Sequence, residues 1–126
     1  MSLGLYLHIP YCFSKCRYCD FYSHPGERGV PDAYVDALLR ELSRFAPEAP
    51  LQPDTLYFGG GTPSLLRPEQ AKRLIDAARP MPGAEITLEA NPETVTEESL
   101  AGFREAGVNR ISFGVQSARD TQLRTL

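Results

Sequence analysis

The chain has 126 residues, 13 Lys and Arg against 16 Asp and Glu, a net charge of −3 and 42% hydrophobic residues. That length supports one domain with a real core, and the mild acidity excludes an electrostatic nucleic-acid binder, which carries a basic patch. No apolar run is long enough to span a membrane, and the N-terminal Met-Ser-Leu-Gly-Leu-Tyr-Leu-His lacks the basic region and cleavage site of a signal peptide.

A first buried strand is expected over Leu3 to Ile9. Directly after it stand the only three cysteines of the chain, Cys12, Cys16 and Cys19. Three cysteines cannot all pair internally, and their crowding favours metal chemistry in a reducing compartment, so a cytoplasmic protein is expected. Three thiolates on one short segment can converge on one centre and leave a coordination position open, as a catalytic metal or cluster requires. Ser23 to Gly29 reads as a loop. A helix follows Pro31, a first-turn proline, with Val35, Leu38, Leu39, Leu42 and Phe45 at helical spacing.

The second strand is expected over Asp54 to Phe58, running into Gly59, Gly60 and Gly61. Pro68 opens a second helix with Ala71, Leu74, Ile75 and Ala78 on one face, which must stop before Pro80. A third strand is expected over Glu85 to Glu89. Thr94 or Thr96 caps a third helix, with Thr94 and Glu97 at capping-box spacing and Gly107 as its end. A fourth strand is expected over Arg110 to Val115, and a fourth helix from Asp120.

Alternating strands and helices imply an α/β fold, a parallel sheet covered by helices. A complete (β/α)8 barrel takes roughly 250 residues, about 30 per unit, so about four βα units account for the chain. An ending inside the fourth helix without a stop signal reads as truncation. The expectation is one domain over 1–126, the N-terminal part of a larger barrel-like protein, with a doubly wound domain as the alternative.

Parallel α/β folds bind ligands at the carboxyl ends of their strands. Four unusual segments fall there: the cysteine loop; Gly59-Gly-Gly-Thr-Pro63; Glu89, Asn91 and Pro92; and Gln116 with Ser117. Each also has a plain reading. The cysteines could hold zinc with His8 or His24 as fourth ligand, although regular zinc-finger spacing is missing. The glycines could be a tight turn, and are not a P-loop, because the Lys-Ser/Thr pair is absent. Glu89 could be a surface carboxylate, Gln116 a helix cap, Tyr6 a core aromatic, and His8 a core histidine or a residue behind the site. Their shared edge is what favours a site.

Cys-x3-Cys-x2-Cys after the first strand of a βα barrel resembles the signature of the radical S-adenosylmethionine (SAM) enzymes. Tyr6-Leu-His-Ile-Pro-Tyr-Cys12, Gly59-Gly-Gly-Thr-Pro-Ser64, Glu89-Ala-Asn-Pro92 and Gly107-Val-Asn-Arg-Ile-Ser-Phe-Gly-Val-Gln-Ser117 resemble, more closely, the oxygen-independent coproporphyrinogen III oxidase family. Phe21 stands where the decarboxylating members carry a fourth cysteine, and Cys19-Asp-Phe-Tyr-Ser-His24 resembles the haem chaperone branch. Tyr22 departs from the Asn usual there, and Tyr11 from Trp or Phe.

The resemblance implies a partial TIM barrel in which Cys12, Cys16 and Cys19 hold three irons of a [4Fe-4S] cluster and SAM chelates the fourth. Reduction of the cluster then cleaves the sulfonium to a 5′-deoxyadenosyl radical. Tyr6 and Tyr18 would line the SAM site. Gly60, Gly61 and Thr62 would meet its amino end through backbone groups, and Glu89 and Gln116 would supply polar contacts. It further implies haem or a porphyrin as ligand, haem-accepting proteins as partners, and an electron donor such as flavodoxin or ferredoxin. Oxidative decarboxylation of coproporphyrinogen III is the alternative activity, and a zinc-stabilised structural module the alternative of another class.

Overall fold

Apolar and polar residues alternate along every strand segment, so each strand has one face for a core and one for something else. The computed structural model describes residues 3–11, 29–45 and 52–113. In chain order the elements are β1 (Gly4–Ile9), α1 (Asp32–Phe45), β2 (Thr55–Gly60), α2 (Pro68–Ala78), β3 (Glu85–Ala90), α3 (Glu97–Ala106) and β4 (Arg110–Phe113). Two short 3-10 turns, Pro63–Leu65 and Pro92–Thr94, follow β2 and β3. The fourth helix expected from Asp120 lies outside the described residues, as does the end of the fourth strand expected at Val115.

The four strands form one sheet in the order β1-β2-β3-β4, every pair parallel. Each strand therefore lies beside its neighbour in the chain. That is the singly wound progression of a βα barrel, whereas a doubly wound sheet reverses its order partway. The helices cover one face. Leu7 and Ile9 of β1, Leu56 and Phe58 of β2, and Ile86 and Leu88 of β3 share one core with Val35 and Leu42 of α1, Leu74 and Ile75 of α2, and Phe103 of α3. Fully burying one such side chain contributes about 1.5–3 kcal/mol.

Buried polarity on the helix side is paired. Gln70, fully buried, donates through Nε2 to the Val30 carbonyl and to Asp32 Oδ1, both at 2.9 Å, and accepts from the Arg67 amide at 2.8 Å. It thus ties the start of α2 to the start of α1. The Gln70 hydrogen bond, ahead of the Arg67 guanidinium, holds the Asp32 carboxyl below its ordinary range.

Two local expectations are corrected. Thr96, not Thr94, caps α3: its hydroxyl accepts from the Ser99 amide at 3.0 Å while Ser99 Oγ accepts from the Thr96 amide at 2.9 Å. Ser99 closes this box in place of Glu97. Thr94 is drawn instead into the turn after β3, donating to the Asn91 carbonyl at 2.8 Å. The second strand also runs further than Phe58, because His8 and Ile9 of β1 pair with Gly59 and Gly60.

Gly60 has φ of +117°, and a Cβ there would stand 2.8 Å from the Ile9 carbonyl oxygen and 2.9 Å from His8 Nδ1. A main-chain carbonyl cannot step aside as a side chain can, and the conformation suits glycine alone. Gly60→Ala is expected to lower stability by about 1–3 kcal/mol, read from denaturant unfolding. An unchanged midpoint would show that the end of β2 relaxes freely.

Candidate functional site

Strands of an all-parallel sheet are ordinarily apolar on both faces. Here the face away from the helices is aromatic and polar. Register places Tyr6, Tyr57, Thr87 and Arg110 in one row across β1 to β4. Toward the carboxyl ends, His8 lies opposite Gly59, and Glu89 opposite Ser112. Below, Arg110 Nε meets Glu85 Oε2 at 3.3 Å.

The rows are joined sideways. Tyr6 and Tyr57 stack with ring centroids 5.8 Å apart and planes 10° apart, and Tyr6 also stacks on His8 at 6.2 Å. The Tyr57 hydroxyl donates to Glu89 Oε2 at 2.7 Å. That bond, followed by burial, pushes the Tyr57 hydroxyl pKa up, so Tyr57 stays a donor. Tyr6 remains 55% exposed, an aromatic plane open on the polar face.

At the upper edge the loops are tied to the strands. The Gly61 amide donates to the Ile9 carbonyl at 2.9 Å and the Thr62 amide to the Tyr11 carbonyl at 2.6 Å. The pairing of the first two strands thereby continues to the residue before Cys12. The Tyr34 hydroxyl of α1 donates to the His8 carbonyl at 2.6 Å, and its ring packs edge-on against Tyr11 at 5.4 Å. Burial pushes the Tyr34 hydroxyl pKa up. The second and third loops are linked through Ser64, whose Oγ lies 2.5 Å from Thr94 Oγ1 and accepts from the Asn91 amide at 3.2 Å.

The structure thus brings Tyr6, Gly60, Gly61, Thr62 and Glu89 to the polar face or its carboxyl edge. Tyr6 is not core, and neither is His8, which is exposed on the same face. Glu89 is half-buried and holds a hydrogen bond, so it is more than a surface carboxylate. Cys12, Cys16, Cys19, Tyr18 and Gln116 lie outside the described residues, as do Phe21 and His24. Among the described residues no group of three or more His, Cys, Asp or Glu could hold a metal ion.

Sequence reasoning missed Tyr57 and Tyr34, and named Gly59 only as part of the glycine segment. Tyr57 sits in a strand that reads as core, and only its register with Tyr6 puts it on the polar face. A groove of about 580 Å³ lies elsewhere, between α3 and β4, lined by Phe103, Arg104, Val108 and Ile111. It follows the last sheet edge among the described residues, where a barrel adds its next unit.

A singly wound parallel sheet with helices on one face, and a polar face bordered by the glycine segment, is the start of a βα-barrel fold. The family model described as the radical SAM superfamily matches residues 6–126, and the chain belongs to that superfamily. Over 98% of its length it is 46% identical to the heme chaperone HemW of Escherichia coli and 43% identical to the heme chaperone HemW of Mycobacterium tuberculosis, matching 34% of each. The chain therefore spans about a third of the length of these relatives. Among solved structures it resembles coproporphyrinogen III oxidase (HemN) from Escherichia coli, a radical SAM enzyme, with a TM-score of 0.71 and 32% identity over 98% of this chain and 30% of that one. The parallel α/β fold expected from the sequence is that of this family. Among the described residues no helix is long and apolar enough to cross a membrane.

Proposed function

We propose that this chain holds a [4Fe-4S] cluster through Cys12, Cys16 and Cys19 and binds SAM over the polar face, within a cytoplasmic protein that takes up haem and hands it to haem-dependent proteins. The observation that carries the cofactor reading is the Tyr6–Tyr57–Glu89 array beside the point where the chain enters the cysteine segment. SAM has a cationic amino end and sulfonium, a carboxylate, hydroxyls and a flat base. An open aromatic plane, a positioned carboxylate and a glycine-flanked backbone suit such a molecule.

Each residue has a task. Tyr6, with Tyr18, would line the cofactor, and Glu89, with Gln116, would bind its polar groups. An ammonium only donates hydrogen bonds, so from Gly60, Gly61 and Thr62 it would take carbonyl oxygens. This agrees with the Gly61 and Thr62 amides already donating to β1 and Tyr11. Bound together, the cluster and SAM supply radical chemistry, and the protein's part is to orient them and exclude side reactions. A flavodoxin or ferredoxin would serve as electron donor.

Haem chaperoning rests on the greater identity to the heme chaperones and on Phe21, a residue that cannot ligate iron, two places beyond Cys19. The structural likeness to coproporphyrinogen III oxidase favours a second reading, oxidative decarboxylation of that porphyrinogen. Anaerobic iron–sulfide reconstitution is expected to give a brown protein that binds SAM and then haem stably, without consuming coproporphyrinogen III. Formation of protoporphyrinogen would overturn the chaperone reading. Stoichiometric zinc with no cluster would overturn both and leave a structural zinc module.

A further inference from the structure

Two residues on β2, Gly59 and Tyr57, are assigned no contact with the cofactor, yet both touch residues that are assigned one. Gly59 lies under the Tyr6 side chain. A Cβ there would stand 2.5 Å from the Tyr6 hydroxyl oxygen and 2.9 Å from Cε2 and Cζ. Real side-chain carbons do not approach so closely, so the Tyr6 ring occupies the space that any other residue at 59 would fill. Gly59 has an ordinary backbone conformation, unlike Gly60, so its smallness answers to space alone. Tyr57, two residues earlier on the same face, stacks on Tyr6 from the side and holds Glu89 through its hydroxyl.

We propose that Gly59 and Tyr57 are positioning residues for the cofactor site, with Gly59 and the Tyr57 ring seating Tyr6 and the Tyr57 hydroxyl fixing Glu89. The proposal rests on the SAM-binding reading above and adds how it is built. The two candidate contacts come from β1 and β3, and β2 between them sets both. Tyr6 is exposed, and an exposed side chain is free to change rotamer unless its neighbours hold it. Without its seat the ring is free to turn away. Glu89, on a long side chain, would likewise spread over several rotamers without a donor, and an ordered carboxylate binds better than one that must be ordered on binding.

The atoms meeting a Cβ at Gly59 are the far end of a side chain, so Gly59→Ala displaces the Tyr6 ring and leaves the sheet in place. In the reconstituted protein, Gly59→Ala is expected to raise the SAM Kd about tenfold or more with an unchanged unfolding midpoint, a misplaced contact being costly. In a Tyr6→Ala background the same change should have no further effect. Tyr57→Phe, which keeps the ring and loses the hydroxyl, should raise Kd by roughly three- to tenfold, the effect of one hydrogen bond to a charged group, and do nothing in a Glu89→Ala background.

NMR of Tyr-labelled protein without cluster or SAM gives a second readout. Gly59→Ala should move the Tyr6 ring signals, and Glu89→Gln the Tyr57 Cζ signal. Full additivity in both double variants, or unmoved ring signals, would overturn the proposal. Wild-type protein that keeps these NMR couplings and fails to bind SAM would overturn the SAM reading and leave the seating of Tyr6 and Glu89 standing.

Discussion

Replacing any one of Cys12, Cys16 and Cys19 by Ala is expected to abolish cluster binding and leave the fold in place. Three ligands for a four-iron cluster leave none to spare. Losing one should cost more than the roughly 100-fold in metal affinity that loss of an outer partner can cost. The fold is expected to be spared because, among the described residues, the strands and the three helices already share a core. The bonds that pin the chain on either side of the segment, Thr62 to Tyr11 and Gln70 to Val30, use none of these cysteines. Iron and acid-labile sulfide should fall to background in each variant, while circular dichroism and the apo-protein unfolding midpoint stay at wild-type values. The contrast with zinc is sharp. A structural zinc site contributes its binding energy to folding, so losing one ligand there unfolds the domain. Variants that unfold on cysteine loss but never held iron would therefore turn the reading to zinc.

The sheet and its helices were legible because their signals are local and periodic. Val35, Leu42, Leu74 and Ile75 repeat with the helix, and all four are buried against the strands. The edge at which the candidate site residues gather was legible too, since parallel strands fix the end at which loops gather. Contacts between residues far apart in the chain were not. Tyr57 in Asp-Thr-Leu-Tyr-Phe reads as one more core aromatic, and its bond to Glu89 spans 32 residues. Gly59 reads as part of a turn until the register places it against His8 and the Tyr6 ring over it. The cap of α3 was left open between two threonines for the same reason. Thr94 has the right spacing to Glu97, but Ser64, 30 residues away, claims its hydroxyl.

The two faces of β2 can be separated by substitution at adjacent positions. Phe58 is wholly buried on the helix side, in the strand that lies between β1 and β3. Phe58→Ala removes most of a large side chain where the surroundings cannot collapse, since the strands are fixed by pairing on both sides. The expected loss is about 3–5 kcal/mol. Against a total stability on the order of 5–15 kcal/mol, that leaves a marginal domain. Tyr57→Phe, one residue earlier and facing the other way, removes a single hydroxyl and should shift stability by no more than about 1 kcal/mol. Urea unfolding of the two variants measures both numbers. A Phe58→Ala loss of about 1 kcal/mol or less, on the scale of one methyl group, would mean that the helices do not close over this face. Similar large losses at both positions would mean that the polar face is itself part of the core, and the open surface assigned to the cofactor would then have no place in the fold.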